Sequence, residues 1–122
     1  GGNSAHVLIP FLCETGHTVN LMTRKPAAWN KTVSVEMHCD KEEDRITKVI
    51  HGNPKKISSN PAEVIPESDV IILCMPVHTY RDALHKIAPH LNKDKSDVFI
   101  GTIFGQAGFN WMVHETEQKF RL

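Results

Sequence analysis

The chain has 122 residues, which is enough for one compact domain with a modest hydrophobic core. It carries 14 Lys and Arg against 14 Asp and Glu, and this balance argues against the strongly basic surface of a nucleic-acid-binding domain. No apolar run reaches the roughly 20 residues that a membrane-spanning helix needs. We therefore expect a soluble, cytoplasmic protein without nucleic-acid or membrane partners.

The three cysteines, Cys13, Cys39 and Cys74, are odd in number and widely spaced, so a disulfide framework is not expected. We interpret them as buried, reduced thiols. The eight histidines and the cysteines form no C-x-x-C, H-x-x-x-H or H-E-x-x-H spacing. The sequence therefore predicts no metal site.

The first segment is predicted to be a helix over Asn3–Glu14, because its apolar residues recur at helical spacing. Asn3 or Ser4 is the expected N-cap. Pro10 should kink this helix, since proline lacks the amide donor. Gly16 should end it as a left-handed cap.

The following region alternates short β-prone pieces with turns. Residues 17–23 suit a strand, and Pro26 is placed to start a short helical turn. Between Val33 and Ser58, three short pieces flank the charged segment CDKEEDR and predict antiparallel strands or a meander. Asn60 then begins a capping-box-like helix that must end by Pro66.

The second half has a regular strand, helix, strand pattern. Two continuous apolar runs, at 68–76 and 96–104, each follow a Ser-Asp pair and predict strands buried on both faces of a parallel sheet. The helix between them should cover Thr79 to Leu91, with Thr79 to Asp82 forming a capping box. A turn-rich link at 105–110 leads to a last helix at 111–120. The fold class that we expect is α/β, with a Rossmann-type parallel sheet and flanking helices.

The opening residues Gly2, Asn3, Ser4 and Ala5 fit the second half of a G-x-G-x-x-G/A dinucleotide-binding turn. Gly2 would let the backbone meet the pyrophosphate, and Ala5 would allow close helix packing. A flexible terminal tail is the alternative interpretation. Because such a turn normally follows the first strand of the sheet, we expect residues 1–122 to be a partial NAD(P)-binding Rossmann domain whose first strand lies upstream.

The end of the strand at 17–23 is where this fold contacts the adenosine ribose. Thr23 stands there, followed by Arg24 and Lys25, where an enzyme that selects NAD would place a carboxylate. The two cations favour the 2′-phosphate of NADP over NAD. The alternative is that they are simply solvated residues at the start of a loop.

The next strand end offers a second set of contacts. Pro76 and Val77 lie at the carboxyl edge of the sheet, where they would contact the ribose and diphosphate of the cofactor. They could equally just end a core strand. His78 beside them is interpreted as a surface residue and not as a catalytic acid. Gly105 and Gly108 follow the last strand and would allow close approach near the nicotinamide.

Three segments resemble the N-terminal coenzyme-binding domain of the NAD/NADP octopine/nopaline (opine) dehydrogenase family: GGNSAHVLIPFLCETGHTVNLMTRKPAAW, SDVIILCMPVHTYRDALHKIAPHL and GTIFGQAGFNW. They are more distantly similar to ketopantoate reductase and glycerol-3-phosphate dehydrogenase. The resemblance implies cofactor contacts at Gly2, Asn3, Ser4, Ala5, Thr23, Arg24, Pro76 and Val77.

The same resemblance implies an oxidoreductase in which NAD(P)H reduces an imine formed from an amino acid and a 2-oxo acid, or a relative acting on another small keto or imino substrate. It places the catalytic histidine and its acidic partner in a C-terminal helical domain, which nothing in this chain matches. No catalytic residue is therefore expected among these residues. The alternative is a Rossmann-like fragment that lacks catalysis and serves in binding or regulation.

Overall fold

A computed structural model describes residues 2–38 and 45–122, and the chain divides into two compact units, Gly1–Ser59 and Asn60–Leu122. Each unit combines helices with one parallel strand pair, so the predicted α/β class is confirmed. Within the described ranges, no helix is both long enough and apolar enough to cross a bilayer. Most of the charged segment CDKEEDR, at residues 39–44, lies outside the described residues.

Helix α1 spans Asn3–Glu14, the range that the apolar periodicity predicts. The N-cap prediction was wrong: Gly2 is the N-cap, and Asn3 and Ser4 lie in the first helical turn. The backbone of Gly2 is extended, with φ −109° and ψ −152°. The helix runs through Pro10 without interruption.

The C-terminus of α1 is closed by Gly16, as predicted. Its φ of +91° is the left-handed conformation that glycine adopts without steric cost. The Gly16 amide donates to the Cys13 carbonyl at 3.1 Å, and the His17 amide donates to the Leu12 carbonyl at 3.0 Å. This pair of hydrogen bonds is the Schellman motif, which satisfies the last carbonyl groups of the helix.

The described residues of the first unit form four strands. They are β1 (Asn20–Met22), β2 (Val33–His38), β3 (Ile46–Gly52) and β4 (Lys56–Ser58). A short 3₁₀ turn, Pro26–Ala28, separates β1 from β2 and begins at the predicted proline.

The pairing of these strands corrects the predicted meander in one respect. Strands β2 and β3 form the expected antiparallel hairpin, with Val33 opposite Gly52. Strand β4 instead pairs with β1 in parallel, with Asn20 opposite Lys56. A parallel pair needs a long crossover connection, and the 3₁₀ turn together with the hairpin supplies that length.

Helix α1 packs closely on the β2–β3 hairpin, and Gly52 is the point of closest approach. A Cβ atom on Gly52 would lie 2.7 Å from the Pro10 Cα and 3.0 Å from the Ile9 carbonyl oxygen. Ile9 and Pro10 are both buried. The other buried apolar residues of this unit are Ala5, Leu21, Val33 and Ile50.

The second unit is built around one βαβ element, as predicted. Its elements are α2 (Pro61–Val64), β5 (Val70–Leu73), α3 (Tyr80–Ile87), β6 (Phe99–Thr102) and α4 (Phe109–Phe120). Strands β5 and β6 pair in parallel, with Ile71 opposite Ile100. Both strands are shorter than predicted. The helix predicted up to Leu91 is also shorter, because the α-helical part ends before a 3₁₀ turn that contains Pro89.

The two predicted helix caps of this unit have different outcomes. Asn60 caps α2 as expected, since its Oδ1 accepts a hydrogen bond from the Ala62 amide at 3.1 Å. The capping box at Thr79 was wrong. The Thr79 hydroxyl donates to the Pro76 carbonyl at 2.6 Å, so it stabilises the preceding 3₁₀ turn and makes no cap bond to α3.

Strand β5 is buried on one face only, and β6 has no fully buried residue, which corrects the prediction of strands buried on both faces. Along β5 burial alternates: Ile71 and Leu73 are buried, whereas Val70 is 59% exposed. Phe99, which pairs with Val70, is 68% exposed. The buried face belongs to a core that also contains Leu84, Ile87, Ala88 and Phe109.

The cysteine prediction is corrected in part. Cys13 and Cys74 are free thiols, as expected, but each is only half-buried. Each lies next to the boundary of a regular element, where neighbouring atoms cover part of the side chain. Cys39 lies outside the described residues.

The close approach at Gly52 gives a direct test of the packing in the first unit. Gly52→Ala should lower the free energy of unfolding by about 1 to 3 kcal/mol, because the new methyl group overlaps the backbone of α1. Urea denaturation followed by circular dichroism measures the change. The matched control is Gly101→Ala in β6, where a Cβ meets no atom within 4 Å and stability should be kept or slightly raised. Equal stability of the two variants would refute the close packing.

Candidate functional site

The N-terminus of α1 is the first part of the candidate site. Among the residues that the structure describes, no side chain forms a cap hydrogen bond there, and the first turn contains no acidic residue. The first amides of a helix have no intrahelical partners, and the helix dipole adds partial positive charge at this end. This arrangement suits the binding of a phosphate group.

The four predicted residues of this turn lie at the start of α1, with Gly2 before the first helical residue and Asn3, Ser4 and Ala5 within the helix. Gly2 is exposed, its φ is negative, and a Cβ built on it would meet no atom within 4 Å. No atom of the described residues therefore requires glycine here, whereas a ligand approaching the backbone would. Ala5 is buried, as expected for the position where the helix packs. Asn3 is exposed and Ser4 half-buried.

The second part of the site is the carboxyl end of β1. The Thr23 amide donates to the Ser58 carbonyl at 2.9 Å, which continues the parallel ladder with β4 for one more residue. The Lys25 amide then donates to the Thr23 hydroxyl at 3.4 Å, so the chain turns here. Arg24 and Lys25 are exposed. The sequence from Thr23 to Trp29 contains no carboxylate, so nothing on this segment repels a 2′-phosphate.

A ring contact joins these two segments within the first unit. The imidazole of His6 stacks on the indole of Trp29, with centroids 4.1 Å apart and planes 17° apart. His6 Nδ1 lies 3.0 Å from the Gly2 carbonyl oxygen, and because a carbonyl can only accept, Nδ1 carries the proton. Six of the eight predicted residues, Gly2 to Ala5 with Thr23 and Arg24, therefore lie on two segments that this stack connects.

The remaining two predicted residues, Pro76 and Val77, lie in the second unit. Pro76 is exposed and Val77 half-buried, and they begin the 3₁₀ turn between β5 and α3. His78 in the same turn is exposed, as expected. That these residues meet the same cofactor as the first six stays a prediction.

The carboxyl ends of β5 and β6 are held together by a hydroxyl network centred on Tyr80. Tyr80 is completely buried, and its Oη donates to the Phe104 carbonyl at 3.1 Å. The Thr102 hydroxyl lies 2.6 Å from the Tyr80 Oη and 3.1 Å from the Leu73 carbonyl oxygen. The Tyr80 ring meets the Phe109 ring edge-on, with centroids 5.5 Å apart. This network fixes the loop that follows β6 relative to the end of β5.

Cys74 directly follows β5, but its chemistry does not suit a nucleophile. Burial raises the pKa of the Cys74 thiol, so the thiolate is disfavoured at neutral pH. Among residues 2–38 and 45–122, no three His, Cys, Asp or Glu side chains gather in a way that could hold a metal ion.

No role was predicted for His6 or Trp29, and Thr102 was predicted only as part of the strand at 96–104. Their contacts join residues that lie 22 or more positions apart, which no short spacing encodes. The sequence offered only weak signals for them: the imidazole of His6 one turn into the first helix, and Trp29 shortly after Arg24 and Lys25. Tyr80 was noted only as part of a helix start.

The Tyr80 network predicts a coupled loss of stability. Tyr80→Phe should lower the free energy of unfolding by about 1 to 2 kcal/mol, because the Phe104 carbonyl loses its donor. Thr102→Val removes the other hydroxyl of the contact between Thr102 and Tyr80. The double variant should therefore cost less than the sum of the two single variants in a urea-denaturation cycle. Additive losses would show that the two hydroxyls do not interact.

No family model matches the chain. The "uncharacterized protein y4xO" of Sinorhizobium fredii (strain NBRC 101917 / NGR234) is 34% identical over 65 residues, which is 53% of this chain and 17% of that protein. The chain thus spans about a sixth of the length of this relative.

Three similar solved structures are octopine dehydrogenase with NADH and L-arginine, with NADH and agmatine, and with NADH and pyruvate. Their TM-scores are 0.81, 0.82 and 0.81, and each is 22% identical in sequence. Each match covers 98% of this chain but only 30%, 30% and 31% of the respective structures. The resemblance to opine dehydrogenases is therefore confirmed at the level of the fold: the chain has the Rossmann-like α/β fold of part of octopine dehydrogenase.

Proposed function

We propose that residues 1–122 are part of an NAD(P)-binding Rossmann domain of an oxidoreductase. The observation that carries this proposal is the N-terminus of α1, where no side chain of the described residues forms a cap and none of their atoms would contact a Cβ on Gly2. The fold shared with octopine dehydrogenase, whose structures were solved with NADH, supports the same class of cofactor.

The chain's own residues would bind and orient the dinucleotide. The backbone amides of the turn from Gly2 to Ala5 would donate hydrogen bonds to the pyrophosphate, and Thr23 and Arg24 would contact the adenosine ribose. Pro76 and Val77 would contribute apolar contact from the second unit. The cofactor itself supplies hydride transfer, and we assign no catalytic residue to this chain.

We further propose that the cofactor is NADP rather than NAD. Arg24 and Lys25 are exposed at the end of β1, with no carboxylate nearby on the same segment. A guanidinium can hold a phosphate through two parallel hydrogen bonds, whereas a ribose hydroxyl gains little from it. This segment therefore suits the 2′-phosphate better than the 2′-hydroxyl.

The finer activity that we propose is reduction of an imine formed from an amino acid and a 2-oxo acid. It rests on the resemblance to the opine dehydrogenase family and on the shared fold. The small-molecule substrate would bind to parts of the full-length protein beyond these residues. We also propose a cytoplasmic location, which the free thiols of Cys13 and Cys74 support.

Gly2→Val tests the cofactor site. A Cβ at this position meets no atom within 4 Å, so the unfolding midpoint should change little. The new side chain would stand in the path of the pyrophosphate and should weaken binding of NADPH about tenfold or more, as measured by fluorescence titration. The wild-type chain must bind NADPH or NADH saturably, and no saturable binding of either would refute the proposal.

Arg24→Ala tests the cofactor preference. It should weaken NADPH binding by about tenfold or more, since a hydrogen bond to a charged group contributes about 1.5 to 3 kcal/mol. NADH binding should change little, because NADH lacks the 2′-phosphate. The control is Arg81→Ala, an exposed arginine on α3 that pairs with Glu115. Tighter binding of NADH than NADPH by the wild-type chain would contradict the preference.

A further inference from the structure

We propose that His6 and Trp29 are positioning residues for the dinucleotide. Their contact holds the phosphate-binding turn of α1 at a fixed place relative to the ribose-contacting segment after β1. This inference rests on the proposed function. Both residues lie in the first unit, and their rings stack at 4.1 Å with an angle of 17°. We call them the His6–Trp29 pair.

At one end, His6 orients the first amide of the helix. The Gly2 carbonyl accepts hydrogen bonds from the His6 amide at 3.3 Å and from His6 Nδ1 at 3.0 Å. The Gly2 carbonyl and the Asn3 N–H belong to one planar, trans peptide unit and point in opposite directions. Because His6 holds the carbonyl toward the helix, the Asn3 N–H points out of the N-terminus, where an anion would approach.

At the other end, Trp29 is tied to the segment that carries Thr23 and Arg24. The Trp29 amide donates to the Pro26 carbonyl at 3.1 Å, and the Ala28 amide donates to the Lys25 carbonyl at 3.1 Å. Thr23 is in turn anchored on β4 through Ser58. A short segment held by backbone hydrogen bonds therefore connects the indole ring of Trp29 to the ribose-contacting residues.

The dinucleotide bridges the two segments, so its affinity depends on their separation and orientation. A binding site that is already arranged before the ligand arrives loses less free energy to ordering when the ligand binds. A ligand that reaches only one segment does not depend on this arrangement. The His6–Trp29 pair should consequently matter for the whole dinucleotide and not for its parts.

His6→Ala in the 122-residue chain is the primary test. We expect about a tenfold weaker Kd for NADPH, while the Kd for adenosine 2′-phosphate, which reaches only the ribose segment, should stay within about twofold. His17→Ala, at the opposite end of α1, is the matched control and should change neither. Calorimetric titration gives both constants, and the unfolding midpoint of each variant shows that it is folded.

Trp29 provides a second readout that does not need the cofactor. The chain has two tryptophans, so Trp111→Phe leaves Trp29 as the single emitter. In this background His6→Ala should shift the Trp29 emission to longer wavelength, because the indole loses its stacked ring and gains water contact. Trp29→Phe should retain NADPH binding, since an aromatic ring remains, whereas Trp29→Ala should lose it as His6→Ala does.

The outcomes separate the inference from the proposed function. A wild-type chain that binds neither NADPH nor NADH overturns both. If the wild type binds but His6→Ala binds NADPH equally well, or weakens adenosine 2′-phosphate just as much, only the positioning role is overturned. An unchanged Trp29 emission in the His6→Ala variant would likewise overturn it.

Discussion

A parallel strand pair requires a crossover connection, and in each unit of this chain that crossover brings two carboxyl-terminal strand ends to the same edge. In the first unit β1 and β4 end together at Met22 and Ser58, and in the second β5 and β6 end at Leu73 and Thr102. The loops that leave β1 and β5 carry four of the eight candidate cofactor residues, namely Thr23, Arg24, Pro76 and Val77. Within each unit, this pairing brings together strand ends that lie far apart in sequence.

In the first unit, the two ends of α1 are held in different ways. The Schellman motif at Gly16 ends the helix, and the absent side chain at Gly52 lets the hairpin approach it at Pro10. At the opposite end no side chain of the described residues caps the helix, and the His6–Trp29 pair connects this end to the segment after β1. The C-terminus of the helix is thus closed by backbone hydrogen bonds, whereas its N-terminus has no side-chain cap among the residues that the structure describes.

In the second unit, one buried side chain, that of Tyr80, connects the ends of the two strands. Tyr80 starts α3, and its hydroxyl joins the loop after β6 to the strand ends. At the same edge His78 is exposed, and burial raises the pKa of the Cys74 thiol.

The sequence by itself determined the local elements: the helix of Asn3–Glu14, its left-handed stop at Gly16, the Asn60 cap and the βαβ order. Each follows from periodicity or from one residue's backbone preference, which acts over a few neighbours. Only the tertiary structure decided that β4 joins β1 in parallel, that β5 buries one face, and that His6 meets Trp29. These outcomes depend on contacts between distant segments, whose free energy no local pattern contains.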